Sequence, residues 1–191
     1  MNSKEVLRYL RTSSKTEDPR ILALVDDAIH TVENNVQPKS IYRIFDCTVT
    51  EDGVLLGGYE LKSRRLAETM KGCRRAVVFA ATLGTQCDRL INIAAVTDVA
   101  KAMALQAAAA EKIEEVCDEL EETIKSTYGV TLRQRYSPGY FDLDISHQKT
   151  LFDLMDITKR IGITLTDTYE MIPTKSVSAL IGIEEKGGET K

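Results

Sequence analysis

The longest regular pattern in the sequence reads TDVAKAMALQAAAAEKIEEVCDELEETIKSTYG over residues 97–129. Apolar residues recur in it at steps of three, four or seven, which places them on one face of an α-helix. This apolar stripe consists of Val99, Met103, Ala110, Ile113, Cys117, Leu120 and Ile124. Gly129 follows the stripe, and glycine commonly ends a helix. The pattern therefore predicts one long helix over about residues 97–128.

Runs rich in β-branched and apolar residues lie on both sides of this helix and are typical of strands. Two of them, residues 41–49 and 76–80, precede the helix, and residues 165–171 and 176–183 follow it. No regular alternation of strand and helix separates the four runs, which favours an antiparallel or mixed sheet. The pattern predicts an α+β protein.

Shorter helices complete the prediction. Residues 5–11 form a first short helix, and Asp18 with Pro19 suits the start of a second, because aspartate caps a helix and proline is tolerated at its first position. Further helices are expected over residues 63–72 and from Ser146 to Gly162. We expect a single domain over residues 1–191, with the following parts: a helical N-terminal segment over 1–38, a core over 39–183 and a frayed tail over 184–191.

Composition limits the classes of function. The chain has a formal net charge of -4, so its overall electrostatics do not favour nucleic acid. No run approaches the roughly 18 apolar residues of a membrane span, and the polar N-terminus does not resemble a signal peptide. We therefore expect a cytoplasmic protein that spans no membrane and binds no nucleic acid.

Catalytic side chains and metal ligands are poorly represented. The sequence contains two histidines, His30 and His147, and no arrangement typical of a catalytic triad. The four cysteines are widely separated and form no C-x-x-C pair, so we expect reduced, partly buried thiols and no metal site. A dinucleotide-binding turn needs three glycines, but the turn after the strand at 76–80 offers only Gly84. The sequence therefore does not favour a dinucleotide site there.

One segment, RYSPGY at residues 135–140, combines groups suited to ligand binding. Pro138 fixes one backbone angle and Gly139 permits a positive one, so a stiff, tight turn is expected. Arg135 offers a planar fork for a carboxylate, and Tyr140 offers an aromatic face. The alternative is an ordinary Pro-Gly turn whose tyrosine packs on the domain.

The same segment resembles the R-x-x-P-G-Y motif of the activation domain of vitamin B12-dependent methionine synthase. Three other elements of that family follow in the same order. They are GITLTDT at 162–168, MIP at 171–173 and SVS at 176–178. The resemblance is specific over residues 131–183 and looser over 74–128, and the length is similar to free-standing bacterial forms of the domain.

The resemblance implies a curved, mainly antiparallel sheet packed with helices. It also implies that residues 135–140 bind S-adenosylmethionine, with Arg135 on the carboxylate of its methionine part. The backbone of Ser137 would contact the adenosine, Pro138 and Gly139 would shape the turn, and Tyr140 would pack against the ligand.

The implied reaction is the reductive remethylation of cob(II)alamin. A flavodoxin-like donor supplies one electron, and the reduced cobalt attacks the sulfonium methyl group, which needs positioning and no protein acid or base. The sequence lacks the D-x-H-x-x-G motif of cobalamin-binding domains, so a partner must carry the corrinoid. A methionine synthase is the first candidate partner, which would make this chain a methyltransferase subunit, and another corrinoid methyltransferase is the second.

Two features keep other functions open. Paired tyrosines that follow the last strand in larger members of the family have no counterpart in residues 184–191. A non-catalytic assembly subunit, or a ligand sensor without methyl transfer, would share the fold. A basic segment over residues 62–75 suggests a docking surface for an acidic partner, with a solvated helix face as the alternative.

Overall fold

The structure is a computed structural model that describes residues 1–184. Its helices are α1 (Ser3–Tyr9), α2 (Pro19–Asn35), α3 (Arg64–Thr69), α4 (Thr85–Thr97), α5 (Val99–Tyr128), α6 (His147–Met155) and α7 (Ile157–Ile161). Its strands are β1 (Lys39–Val49), β2 (Gly53–Leu56), β3 (Tyr59–Lys62), β4 (Arg75–Thr82), β5 (Thr131–Leu132), β6 (Thr164–Leu165), β7 (Met171–Ile172) and β8 (Ser176–Glu184). The predicted frayed tail lies outside the described residues except for Glu184, which ends β8.

Six of the strands form one sheet in the order β3-β2-β1-β4-β8-β5. Each neighbouring pair is antiparallel, which confirms the predicted fold class. β4 lies near the centre, where it pairs with β1 on one side and β8 on the other over its full length. Strands β6 and β7 form a separate two-stranded hairpin.

Helices cover both faces of the sheet. Alternate side chains of β4 point to opposite faces, so Val77 and Phe79 pack with α1, α2, α4 and α5. Ala76 and Val78 pack on the other face with α3, α6, α7 and the β2–β3 hairpin. Because both faces are buried, residues 76–81 of β4 are a continuous apolar run with no polar alternation.

Two predicted helix boundaries are confirmed. The side chain of Asp18 accepts a hydrogen bond from the backbone N–H of Arg20 at 2.9 Å, and Pro19 is the first residue of α2. Gly129 ends α5 in a left-handed conformation with φ of 62°. The long helix is therefore confirmed, and α5 spans 30 residues.

The predicted stripe of α5 is wrong at its N-terminal end. Val99 is 67% exposed and Met103 is 56% exposed. Small residues dominate this half of the helix, so they fit more than one face and the spacing of the larger residues does not identify the buried one. The buried face there is formed by Ala102, Leu105 and Ala109.

Two later predictions also differ from the structure. Asp156 has a φ of 51° and separates α6 from α7, so the helix predicted from Ser146 to Gly162 is interrupted. Ser146 makes no side-chain capping hydrogen bond. The strand predicted at 165–171 is a hairpin, because the N–H of Thr166 bonds to the carbonyl of Glu170 at 2.9 Å and turns the chain back.

Candidate functional site

A cleft of about 450 Å³ lies beside the loop that follows β5. Arg135, Ser137, Pro138 and Tyr140 of this loop line it, together with residues of α3, α5, α6 and β8. The fifth predicted site residue, Gly139, shapes the turn and is not part of the lining. The volume lies in the range of about 300–1,000 Å³ that is usual for small-molecule sites.

The Ser137–Tyr140 segment is a tight turn. The N–H of Tyr140 donates to the carbonyl of Ser137 at 3.3 Å, and Gly139 has a φ of 89° at the third position, as in a type II turn. A Cβ atom on Gly139 would lie 2.8 Å from Cδ1 of Ile145. Glycine therefore suits the backbone angle, and a larger residue here would also displace the end of the Ile145 side chain.

Tyr136 fixes this loop to the sheet. Its backbone exchanges two hydrogen bonds with Leu180 of β8, both at 2.8 Å. The buried phenol donates to Oδ1 of Asp142 at 3.3 Å, and burial raises the pKa of Tyr136 above its ordinary value. Asp142 also accepts from the hydroxyl of Ser63, the N-cap of α3, at 2.5 Å. The loop is thus held between β8 and α3.

Arg135 is paired with three carboxylates on one face of α5. Its Nη1 and Nη2 lie 2.7 Å from Glu121 and Glu114, and Nη2 lies 2.9 Å from Asp118. Burial alone would lower the pKa of Arg135, but the charges of Glu114 and Glu121 raise it above its ordinary value. The guanidinium is therefore permanently charged.

Sequence reasoning missed Glu114 as a residue of the site. Glu114 lines the cleft as well as pairing with Arg135, so the cleft presents a cation and an anion side by side. The spacing of residues 114, 118 and 121 places all three acids on one helix face and was the available signal. This spacing does not stand out in the sequence, because the second half of α5 contains other acids that face solvent.

Sequence reasoning also missed a buried amide in the wall of the cleft. Gln148, in the first turn of α6, accepts a hydrogen bond at Oε1 from the hydroxyl of Ser178 on β8. Both residues are buried and both line the cleft. No local pattern marks Gln148, since its burial depends on a partner in a distant strand.

Aromatic side chains lie at the mouth of the cleft. Tyr140 and Phe141 are both exposed, and Phe141 packs against Tyr136 with ring centroids 5.8 Å apart. The guanidinium of Arg65 lies 5.7 Å from the centroid of the Phe141 ring. An exposed aromatic pair beside a cleft is a surface suited to contact with a large partner.

The basic segment over residues 62–75 is partly neutralised. Arg64 pairs with Asp52 at 2.9 Å, and Arg65 pairs with Glu68 at 3.2 Å. Lys62 lies 3.7 Å from Glu60. These exposed pairs reduce the net positive field of the segment.

Outside the cleft, the titratable groups of residues 1–184 do not form a second candidate site. All four cysteines are free thiols, and neither His30 nor His147 lines the cleft. Within residues 1–184, no cluster of histidine, cysteine or acidic side chains is arranged to hold a metal ion. None of the helices there combines the length and apolarity that crossing a membrane requires.

Comparison with known proteins places the chain in a family. Residues 76–188 match the model of the vitamin B12 dependent methionine synthase activation domain. Among solved structures, the fold is similar to the MetH reactivation domain bound to AdoHcy, with 18% identity and a TM-score of 0.64. That match covers 88% of this chain and 70% of the other. No curated protein sequence matches significantly. The chain belongs to the vitamin B12-dependent methionine synthase activation domain family.

Proposed function

We propose that the chain binds S-adenosylmethionine in the cleft and serves the reductive remethylation of cob(II)alamin on a separate corrinoid protein. The observation that carries the proposal is that the R-x-x-P-G-Y turn forms one wall of a cleft that also presents both charge signs. The similar reactivation domain was solved with AdoHcy, the demethylated form of this ligand.

The charges of the cleft fit an amino-acid zwitterion. Arg135 offers donors for a carboxylate, and Glu114 offers an acceptor for an ammonium group. Ser137 and Tyr140 also line the cleft, where they can contact a nucleoside. The residues present therefore suit a ligand with one charged and one aromatic half.

A carboxylate can bind Arg135 if the guanidinium exchanges part of its present pairing. Asp118 is the partner most readily released, because its side chain is 67% exposed and water replaces the lost contact. Glu121 is only 16% exposed and keeps the guanidinium in position. Arg135 can thus contact a ligand without leaving its place on α5.

The ligand supplies an electrophilic methyl group, so the protein needs only to bind, orient and shield it. Tyr140 and Phe141 are exposed beside the open side of the cleft, so a second protein can contact them there. A methionine synthase is the first candidate for the corrinoid carrier, and another corrinoid methyltransferase is the second. A flavodoxin-like protein is the proposed electron donor.

Calorimetric titration with S-adenosylmethionine and S-adenosylhomocysteine tests the binding step. Arg135→Ala is expected to weaken binding by about 2–3 kcal/mol, as for loss of a charged hydrogen bond. Arg133→Ala is the matched control, because Arg133 pairs with Glu184 at 3.0 Å and does not line the cleft. Absence of binding by the wild-type protein contradicts the proposal. Transfer of labelled methyl from the bound ligand to an added corrinoid protein then tests the reaction.

A second candidate is a non-catalytic assembly subunit. It is favoured by the pairing of Arg135 with three carboxylates of α5, which makes the residue a structural link between loop and helix. In that case Arg135→Ala lowers the free energy of unfolding, and neither the variant nor the wild type binds the ligand. Ligand binding without methyl transfer to any corrinoid protein would instead indicate a sensor.

A further inference from the structure

Gln148 is a polar side chain buried in the wall of the cleft. It is only 4% exposed, although glutamine is usually a surface residue. Burial of an amide is costly unless its polar atoms find partners, so its position there requires an explanation.

One end of this amide is paired with a neighbouring side chain. Its Oε1 accepts from the hydroxyl of Ser178, which is itself fully buried. Every fully buried side-chain nitrogen or oxygen in residues 1–184 has a hydrogen-bond partner. Nε2 makes no hydrogen bond to any described residue. It is therefore not fully buried, and it is the polar atom of Gln148 that faces open space. Because Gln148 lines the cleft, that space is the cleft.

The position of Gln148 along the cleft follows from the strand register. Tyr136 pairs with Leu180 in the antiparallel sense. This bridge places the backbone of Arg135 beside Ile181, three residues and about 10 Å along β8 from Ser178. Gln148, bonded to Ser178, is therefore offset along β8 from Arg135.

The lining contributed by α6, β7 and β8 is uncharged. It consists of Gln148, Met171, Ser176, Val177 and Ser178. An uncharged wall that combines apolar side chains with fixed polar groups suits a neutral ring system such as a nucleoside. The charged half of a ligand held by Arg135 would leave its nucleoside half beside Gln148.

We propose that Gln148 is a specificity-determining residue, whose Nε2 donates a hydrogen bond to an acceptor on the nucleoside half of the ligand. Ser178 is a positioning residue that holds the amide with its donor toward the cleft. The inference rests on the proposed binding of S-adenosylmethionine. It adds a donor that rejects ligands lacking the matching acceptor, since such ligands leave a buried N–H without a partner.

Titration of the whole chain with S-adenosylhomocysteine tests this role. Gln148→Leu removes the donor at similar volume and is expected to weaken binding about 5- to 30-fold, the range for one hydrogen bond in a buried site. Gln86→Leu is the matched control, because Gln86 is also the second residue of its helix but is exposed and lies outside the cleft. The control is expected to change affinity less than about twofold.

Analogues of the ligand identify the acceptor. One series replaces a single ring nitrogen of the adenine by CH, and the other replaces a single ribose hydroxyl by hydrogen. The analogue that lacks the true acceptor binds the wild-type protein more weakly than S-adenosylhomocysteine does. Its affinity does not fall further in Gln148→Leu, because the same hydrogen bond cannot be lost twice. This non-additivity distinguishes a base contact from a sugar contact.

Separate outcomes overturn the two proposals. Wild-type affinity in Gln148→Leu, with Arg135→Ala impaired, overturns the role of Gln148 and leaves the proposed function standing. No binding by the wild-type chain overturns both. If Gln148→Leu fails to fold by circular dichroism, Gln148→Met decides, because its unbranched side chain is similar in shape to glutamine and its thioether is a weak acceptor without a donor. Unweakened binding by Gln148→Met also contradicts the role.

Discussion

Nη2 of Arg135 lies 2.7 Å from Oε2 of Glu114, which ties the loop of the cleft to the middle of the longest helix. The contact links parts of the chain that are 21 residues apart. It means that one charged side chain serves both the position of the loop and, in the proposed function, the binding of ligand. Stability and affinity must therefore be measured side by side in any variant of this pair.

The partners of Arg135 should differ in their contribution to stability. We expect Glu121→Gln to lower the free energy of unfolding by about 1 kcal/mol, since Glu121 is largely buried beside the guanidinium. Asp118→Asn should cost less than about 0.5 kcal/mol because Asp118 is exposed. Urea unfolding at neutral pH measures both, and equal costs would contradict the structure.

Gly139→Ala should disrupt the turn of the cleft. A positive φ disfavours alanine by about 1 kcal/mol, and the Cβ atom would also crowd Ile145. Gly58→Ala is the control, because Gly58 has a φ of 86° but open space around it. We expect Gly139→Ala to cost about 2–3 kcal/mol and Gly58→Ala about 1 kcal/mol. A difference near zero in urea unfolding would show that Ile145 moves aside freely.

Buried thiols should make the protein less stable in alkali. Burial raises the pKa of Cys117 from 9.0 to about 12, so the folded protein keeps a proton that the unfolded chain loses. The stabilisation is complete below pH 9 and is lost as the pH rises toward 12.

Cys117→Ala tests this dependence. Between pH 8 and about 10.5, wild type should lose about 1–2 kcal/mol more stability than the variant. The comparison uses the change with pH, so the cost of the smaller side chain cancels. If the free energy of unfolding, measured with urea, falls equally with pH in both proteins, Cys117 is not the cause of the loss of stability in alkali.

Ser63→Ala should loosen the connection between α3 and the loop. Ser63 accepts from the N–H of Leu66 at 2.9 Å as an N-cap and also donates to Asp142. We expect a loss of about 1–2 kcal/mol in stability. The hydrogen bond from Ser63 also holds the pKa of Asp142 below its ordinary value, so this pKa should rise in the variant. Ser63→Thr should restore both, as NMR titration and urea unfolding can measure.

Local chemistry explains which parts of the fold were predictable. Asp18 with Pro19 and Gly129 mark helix ends through their own backbone preferences, and both boundaries were predicted correctly. The break at Asp156 was missed because neither glycine nor proline stands there. Aspartate can adopt the left-handed conformation, but nothing in the neighbouring sequence requires it.

The site was predictable only where one short segment carries it. Residues 135–140 stand together in the sequence, and the turn with its glycine follows from their order. Gln148 enters the cleft only through Ser178, 30 residues later, and Glu114 only through Arg135. Such contacts depend on the register of β8 and the packing of α5, which local patterns do not contain.

The position of β8 between β4 and β5 has a consequence for the kinetics of folding. Its first residue, Ser176, pairs with Thr82 of β4 across 94 residues of chain, so formation of this ladder closes a long loop. Non-local pairings of this kind slow folding, because the entropy of loop closure is lost before the contacts form. A nascent chain carries α1 to α5 before it carries the strand that joins the two halves of its core. Since Ser178 and the partner of Tyr136 lie on that strand, the cleft comes into existence in the same step as the finished sheet.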